Sequence, residues 1–233
     1  MVGAVLTSVI LLLAAAWFVR RAEQVPGRLQ SLIELPIEWI SGIVRGTGGT
    51  RWAQYVGLVA AIFLFVLVAN WIGLLPGVGT IGIVHHDEHG EELLVPLIRA
   101  ASADLNLTLG LAIIAFVAFV YFGIRANGVR GYLKELLIAE PAYMTPLLTP
   151  IHIISELSRL ISLSMRLFGN VFAGEVLLAT MLALAPIIVP VVFLGLELIF
   201  GFVQALVFAL LTMTYITLAI AEHRQHESHT ETA

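Results

Sequence analysis

Cysteine is absent from the 233-residue chain, and charged residues are scarce, at 12% of the sequence. Without cysteine the chain forms no disulfide, no thiolate metal site and no cysteine nucleophile. The net charge is only −4, and there is no basic block of the kind that binds nucleic acid. A glycine-rich phosphate-binding loop is also missing. We therefore expect a non-catalytic chain that binds no nucleotide, cofactor, metal ion or nucleic acid.

Apolar residues, by contrast, make up 59% of the chain, and the mean hydropathy is +0.98. No soluble domain could bury that much apolar surface, so the chain belongs in a lipid bilayer. We predict an all-α polytopic membrane protein that forms a single membrane domain, 1–233, with about five membrane helices. The apolar runs that predict these helices are 1–19, 55–75, 104–124, 146–185 and 187–222.

Basic residues predict the orientation. No positive charge precedes the first apolar run, and Arg20 and Arg21 follow it, which favours an N-terminal anchor helix over a signal peptide. Five arginines lie in 20–54 and three basic residues in 125–134, whereas the loop 76–103 contains only Arg99. The positive-inside rule then places the N-terminus outside and the C-terminal tail, 224–233, in the cytoplasm.

Two segments are predicted to lie outside the hydrocarbon. Residues 27–46 have the spacing of an amphipathic helix on the membrane surface, in which Pro36 would introduce a kink. The outer loop, within 55–124, contains the cluster His85, His86 and His89. A zinc site is one interpretation of these histidines, but they have no distant fourth ligand, and a solvated acidic loop is favoured.

The last two apolar runs are too long for upright helices. At 1.5 Å per residue, a helix over 146–185 would be ~60 Å long, about twice the hydrocarbon thickness. We therefore predict that 146–223 forms a strongly tilted helical hairpin that lies along the flank of a neighbour.

Ionisable side chains deep in a membrane cost several kcal/mol each, so they usually mark a pathway or a partner. Polar residues recur every three or four positions along the first helix of the hairpin and form one stripe. The stripe contains Ser155, Ser158, Ser162, Arg166 and Asn170. The other ionisable residues of this helix are His152, Glu156, Arg159 and Glu175, and Glu197 and Gln204 lie on the second helix.

The hairpin turn predicts which of these residues meet. Glu175 and Glu197 both lie 11 residues from Pro186, so they should lie at similar depth near the outer end. Arg166 and Gln204 lie 20 and 18 residues from it and should be deeper neighbours. Carboxylates can relay protons, whereas an arginine stays positive and repels them. This arrangement predicts interrupted proton transport.

Four motifs carry a resemblance to a known family. The segment 164–175 reads SMRLFGNVFAGE, 102–108 reads SADLNLT, 70–76 reads NWIGLLP, and Gln204-Ala205 precedes the end of the last helix. Together they resemble the a subunits of bacterial F-type ATP synthases over residues 55 to 223.

The resemblance implies a membrane stator in the bacterial plasma membrane, with a ring of c subunits, the b subunits and the remaining ATP synthase as partners. It implies that Arg166 meets the carboxylate of each passing c subunit and separates two offset half-channels. The outer half-channel would include Asp104, Asn106, Asn170, Glu175, Glu197 and Gln204, and the cytoplasmic one Ser155, Ser158, Ser162, His152 and Glu156. ATP chemistry would belong to partner chains.

Structural alternatives stay open for several of these residues. Glu156 and Arg159 have the spacing of an internal ion pair. Asp104 has the position of a helix cap. Gln204 and Asn170 could form interhelical hydrogen bonds, and the serines could simply pack. Close helix approach is the expected role of the glycines Gly169, Gly174, Gly195 and Gly201.

Overall fold

In a computed structural model, the described residues are 2–21, 28–47, 49–75, 78, 82–86, 92–96, 100–137, 145–185 and 189–230. Six α-helices dominate this part of the chain. They are α1 (Val2–Arg21), α2 (Arg28–Thr47), α3 (Val56–Gly73), α4 (Leu105–Leu137), α5 (Thr145–Leu184) and α6 (Val189–Thr230).

Four of the helices are long and apolar enough to cross a membrane, which confirms the prediction of an all-α polytopic membrane protein. The spans are Val56–Gly73, Leu105–Val129, Thr149–Leu184 and Val189–Ile220. Helix α1 is the remaining one of the five predicted crossings, but its apolar part, Val2–Trp17, is shorter than these four spans. Its crossing of the bilayer stays a prediction.

The outer loop contains an element that the sequence analysis did not predict. Strands β1 (Gly82–His86) and β2 (Glu92–Pro96) pair antiparallel, with Gly82 opposite Pro96 and His86 opposite Glu92. His85 and His86 lie in β1, and His89 lies outside the described residues. Nowhere in the described ranges do three His, Cys, Asp or Glu residues group as a metal site would require.

Helix α3 lies at the centre of the core. Its buried side chains, among them Phe63 and Val66, pack with residues of α2, α4, α5 and α6. The predicted amphipathic helix, α2, buries Ile40 and Val44 in this core and exposes Glu38. Pro36 lies inside α2.

A glycine divides α4 near its end. Gly128 has φ 73° and ψ 159°, a backbone conformation that residues with a Cβ rarely adopt. The chain then turns back, so that a Cβ on Gly123 would lie 2.9 Å from the Tyr132 ring. The Asn127 side-chain amide donates a hydrogen bond of 2.9 Å to the Ala219 carbonyl. These contacts join this end of α4 to α6.

Helix α5 has the predicted length, and α6 is longer than predicted. Helix α5 has 40 residues and α6 has 42, so each is ~60 Å long at 1.5 Å per residue. Helix α6 continues to Thr230, beyond the predicted end at 222. The turn at Pro186 lies outside the described residues. Much of the surface of both helices is exposed and apolar, as lipid or a membrane partner requires.

Candidate functional site

A cavity of about 310 Å³ lies between α5 and α6, beside the end of α3. Its polar lining comes from Asn170 of α5, Glu197 of α6 and Asn70 of α3. Gly174 and Gly201 contribute backbone to the wall. The remaining wall is apolar and consists of Val171, Ala173, Leu177, Leu178, Phe193, Leu196 and Phe200. An apolar cavity with a few convergent polar groups is the usual form of a binding or transport site.

The carboxylate of Glu197 occupies space that Gly174 leaves empty. A Cβ built on Gly174 would lie 2.7 Å from Cδ of Glu197. Within the described residues, Glu197 Oε2 is buried and accepts no hydrogen bond. Glu175 is the next residue after Gly174 on α5, so it lies close to the depth of Glu197. The predicted equal depth of Glu175 and Glu197 agrees with this contact.

Asn70 links three parts of the fold at the cavity wall. Its Nδ2 donates to the Gly201 carbonyl at 3.1 Å, and its Oδ1 accepts from Ser102 Oγ at 2.7 Å. Trp71 Nε1 donates to the Leu198 carbonyl at 3.3 Å. Asn70 and Ser102 lie in two of the motifs that carry the family resemblance, but neither residue was predicted to have a role in the site. The available signal was a polar amide inside an 18-residue apolar helix.

Gln204 lies on α6 and is buried, with 7% of its surface exposed. Its Nε2 has no hydrogen-bond partner among the described residues. Interhelical hydrogen bonding, the structural alternative for Gln204, therefore does not account for the amide nitrogen of Gln204. Asn170, for which the same alternative was open, is half-buried and lines the cavity.

Arg166 is exposed on α5, away from the core. In the part of the chain that the structure describes, its guanidinium forms no hydrogen bond and no ion pair. The opposite face of the same helical turn is fixed, because Leu167 is fully buried and Ser164 Oγ lies 3.2 Å from Thr108 Oγ1. Arg166 therefore lies on the outer face of α5, while the opposite face of this helix packs against the rest of the chain. Internal pairing with Glu175 is not observed.

Glu156 pairs with a different arginine. Its Oε1 lies 2.7 Å from Nη1 of Arg159, which confirms the ion pair predicted from their spacing. The guanidinium of Arg159 also lies over the ring of Tyr215, 5.4 Å from the centroid. The structural alternative for Glu156 is therefore observed.

The rest of the polar stripe is open to the surroundings. Ser155, Ser158, Ser162 and His152 are all exposed on α5, as Arg166 is. Apolar side chains beside them, including Leu157, are exposed too. Packing within this chain therefore does not explain these serines.

Asp104 and Asn106 lie elsewhere. Asp104 directly precedes α4, and its Oδ1 accepts a hydrogen bond of 3.0 Å from the backbone N–H of Asn106, as a helix cap does. Both residues line a second cavity, of about 600 Å³, between α1, α3 and α4. The structure does not bring them into the cavity that contains Glu197.

Close helix approach accounts for two of the four glycines. Gly174 lies against Glu197, and a Cβ on Gly201 would lie 3.2 Å from Cβ of Asn70. A Cβ on Gly169 or Gly195 would meet no atom of another described helix within 4 Å. The expectation of close approach was wrong for these two residues within the described structure, because both lie on exposed faces.

Comparison with known proteins identifies the family. Residues 1–217 match the family model described as ATP synthase A chain. The ATP synthase subunit a of Gloeobacter violaceus is 36% identical over 221 residues, covering 94% of this chain and 82% of the relative. That of Gluconobacter oxydans is 37% identical over 219 residues, covering 87% and 80%, and that of Mycobacterium ulcerans is 34% identical over 224 residues, covering 93% and 85%. This chain therefore belongs to the ATP synthase subunit a family, the proton-translocating subunits of the membrane sector.

Proposed function

We propose that the chain forms two offset proton half-channels and, through Arg166, couples proton movement to the rotation of a c-ring. The observation that carries the proposal is the exposed guanidinium of Arg166, which has no internal partner among the described residues. An arginine at membrane depth needs an anion, because an isolated charge there costs several kcal/mol. A carboxylate on a neighbouring subunit would supply that anion.

The outer half-channel would begin with the cavity between α5 and α6. Glu197 supplies a carboxylate there, Asn170 a polar amide, and Glu175 a second carboxylate near the first. A buried carboxylate oxygen without a hydrogen bond is available to a proton or a water molecule. Gln204 continues the polar positions toward Arg166. We place Asp104 and Asn106 at the outer mouth, in the second cavity.

The cytoplasmic half-channel would follow the exposed stripe of α5. Ser155, Ser158 and Ser162 present hydroxyl groups that donate and accept hydrogen bonds, and the imidazole of His152 can also exchange hydrogen bonds. Glu156 belongs to the same region of the helix. Arg166 lies between this stripe and the outer cavity.

A fixed positive charge between two half-channels forces the proton onto the ring. Arginine stays protonated, so it cannot relay a proton and repels one that approaches directly. A proton entering from outside would neutralise a ring carboxylate, travel with the ring, and leave on the other side. The membrane potential contributes about 2.3 kcal/mol per charge per 100 mV to this movement.

The partners and the orientation follow from the same proposal. The exposed faces of α5 and α6 would meet the c-ring, and the b subunits and the rest of the ATP synthase would complete the stator. The N-terminus would lie outside and the C-terminus in the cytoplasm of a bacterial cell, which the positions of the basic segments support. The chain itself would catalyse no reaction, since ATP chemistry would take place on other chains.

The test is ATP-driven acidification of inverted membrane vesicles that carry the whole complex with Arg166→Ala. We expect acidification to be lost while subunit content and ATP hydrolysis by the detergent-released complex persist. Arg125→Ala is the matched control, because Arg125 is also exposed on a helix and contacts only Tyr121 Oη, at 3.4 Å, among the described residues. Normal acidification with Arg166→Ala would contradict the proposed coupling role.

A further inference from the structure

Two arginines lie on one face of α5 and differ in their partners. Arg159 and Arg166 are seven residues apart, which places them within about 20° of each other around the helix and ~10.5 Å apart along it. Arg166 has no hydrogen bond or ion pair among the described residues. Arg159, in contrast, contacts both a carboxylate and an aromatic ring.

Three residues form what we call the Arg159 clamp: Glu156, Arg159 and Tyr215. The ion pair between Glu156 and Arg159 is 2.7 Å long, and the side chains are only 22% and 34% exposed. Tyr215 lies on α6, so the guanidinium is directed toward α6. The ring of Tyr215 also packs with the ring of Phe119 of α4, at 6.3 Å between centroids.

The clamp combines two attractive interactions on one cation. A carboxylate and a guanidinium in a partly desolvated site attract each other strongly. The electron-rich face of an aromatic ring adds a further attraction for the same cation. Together they hold Arg159 back from the exposed stripe on which Arg166 lies.

We propose that the clamp keeps Arg159 from competing with Arg166 for the carboxylates of the c-ring. This inference rests on the proposed function, because it assumes that Arg166 meets those carboxylates. Glu156 is then a positioning residue, which acts by neutralising and holding Arg159. It does not act in this role as a proton relay.

The reason for such a clamp is electrostatic. A second unneutralised arginine about two helical turns from the first would attract the same ring carboxylate on its way to the cytoplasmic half-channel. The carboxylate would then stay deprotonated and paired at the wrong depth. Rotation would slow because the ring would be held between two cations.

The test is the pair of variants Glu156→Gln and Glu156→Gln/Arg159→Gln in the assembled complex, assayed by ATP-driven acidification of inverted vesicles. Glutamine keeps the shape of Glu156 but removes the charge that neutralises Arg159. We expect the single variant to lower the initial rate about tenfold, a typical effect of one misplaced close charge pair. The double variant removes the competing cation, so we expect the rate to return to within about twofold of the parent complex.

Two results would overturn the inference. An unchanged rate with Glu156→Gln would mean that the clamp does not restrain Arg159 in any way that affects transport. A double variant as slow as the single one would assign Glu156 to proton relay or to the packing of α5, since the second substitution cannot restore either. Recovery by the second substitution is therefore the decisive measurement.

Controls separate this inference from assembly and from the proposed function. Glu38→Gln makes the same chemical change on the exposed face of α2, and should leave the rate unchanged. Tyr215→Phe keeps an aromatic ring over Arg159 and should pump normally, whereas Tyr215→Leu should slow pumping. If Arg166→Ala pumps normally, the proposed function fails. If Arg166→Ala is inactive and Glu156→Gln is normal, only the clamp inference fails.

Discussion

Glu197 of α6 lies directly against Gly174 of α5, so close that a Cβ on the glycine would be 2.7 Å from the carboxyl carbon. The contact puts a carboxylate into the apolar cavity between the two long helices. It also makes the position of the Glu197 side chain depend on the absence of a side chain at residue 174.

Gly174→Ala tests that dependence. The added methyl group overlaps the carboxylate, which is the flexible end of a side chain, so we expect Glu197 to move while the backbone stays in place. If Glu197 relays protons, as proposed, displacing its carboxylate by an ångström or more should slow ATP-driven acidification by about tenfold to a hundredfold. Assembly should be retained, because alanine favours a helix over glycine by about 1 kcal/mol.

Gly57→Ala is the matched control for this substitution. Gly57 also lies in a membrane helix, on an exposed face, and a Cβ there would meet no atom of the described neighbouring residues within 4 Å. It should pump at the rate of the parent complex. Equal rates for Gly174→Ala and Gly57→Ala would show that the position of Glu197 does not limit transport.

Glu197→Gln should change stability and transport in opposite directions. The substitution removes a partly buried carboxylate whose Oε2 accepts no hydrogen bond from the described residues, so the thermal midpoint of the complex should rise. The amide cannot carry a proton, so acidification should slow by about tenfold or more. The thermal midpoint is measured by thermal release of the subunit, and the transport rate by vesicle acidification, on one preparation of the complex.

The comparison variant is Glu197→Asp, which keeps the carboxylate and shortens its reach. We expect it to pump faster than Glu197→Gln. If the Glu197→Gln complex and the parent complex pump equally fast, the carboxylate at this position is not part of the proton path.

The fold could be predicted from the sequence where composition and length determine it. The long apolar runs predicted α5 and α6, and the 40-residue length predicted for α5 is confirmed. The hairpin of β1 and β2 was missed because its short apolar stretches are separated by His, Asp and Glu residues, which favour an outer loop. The extension of α6 to Thr230 was missed because its last turns are polar and carry no apolar signal.

The candidate site could be predicted only in part. Counting from Pro186 predicted that Glu175 and Glu197 lie at one depth, since helical rise is regular. The link from Asn70 to Gly201 was not predictable, because its acceptor is a backbone carbonyl and every residue has one. The outward position of Arg166 without an ion pair depends on where all its neighbours lie, which no spacing rule specifies.

Asn70→Ala should weaken the packing of α3 against α6. It removes both the bond to Gly201 and the bond from Ser102, and leaves two buried polar groups without these partners. Interhelical hydrogen bonds in membranes contribute about 0.6 kcal/mol each and up to about 1.7. We therefore expect a loss of about 1–2 kcal/mol, measured as a lower midpoint for thermal release of the subunit from the solubilised complex.

Asn127→Ala provides the comparison for Asn70. It also removes an asparagine that donates to α6, but among the described residues it removes a single bond, to the Ala219 carbonyl. We expect a smaller loss for Asn127→Ala than for Asn70→Ala. Equal losses would contradict the idea that the two-bond link at Asn70 is the stronger connection.

Asp104 has a confirmed capping role and a proposed role at the outer mouth, and two substitutions separate them. Asparagine caps a helix about as well as aspartate, so Asp104→Asn should keep the bond to the Asn106 N–H and leave thermal stability unchanged. Alanine cannot cap, so Asp104→Ala should lower the free energy of unfolding by about 1 kcal/mol.

If Asp104 attracts protons into the outer cavity, Asp104→Asn should also slow acidification, by about twofold to fivefold, because the local negative charge raises the proton concentration. The effect should shrink at high salt, which screens exposed charges. An unchanged rate at low salt would leave Asp104 with its capping role alone.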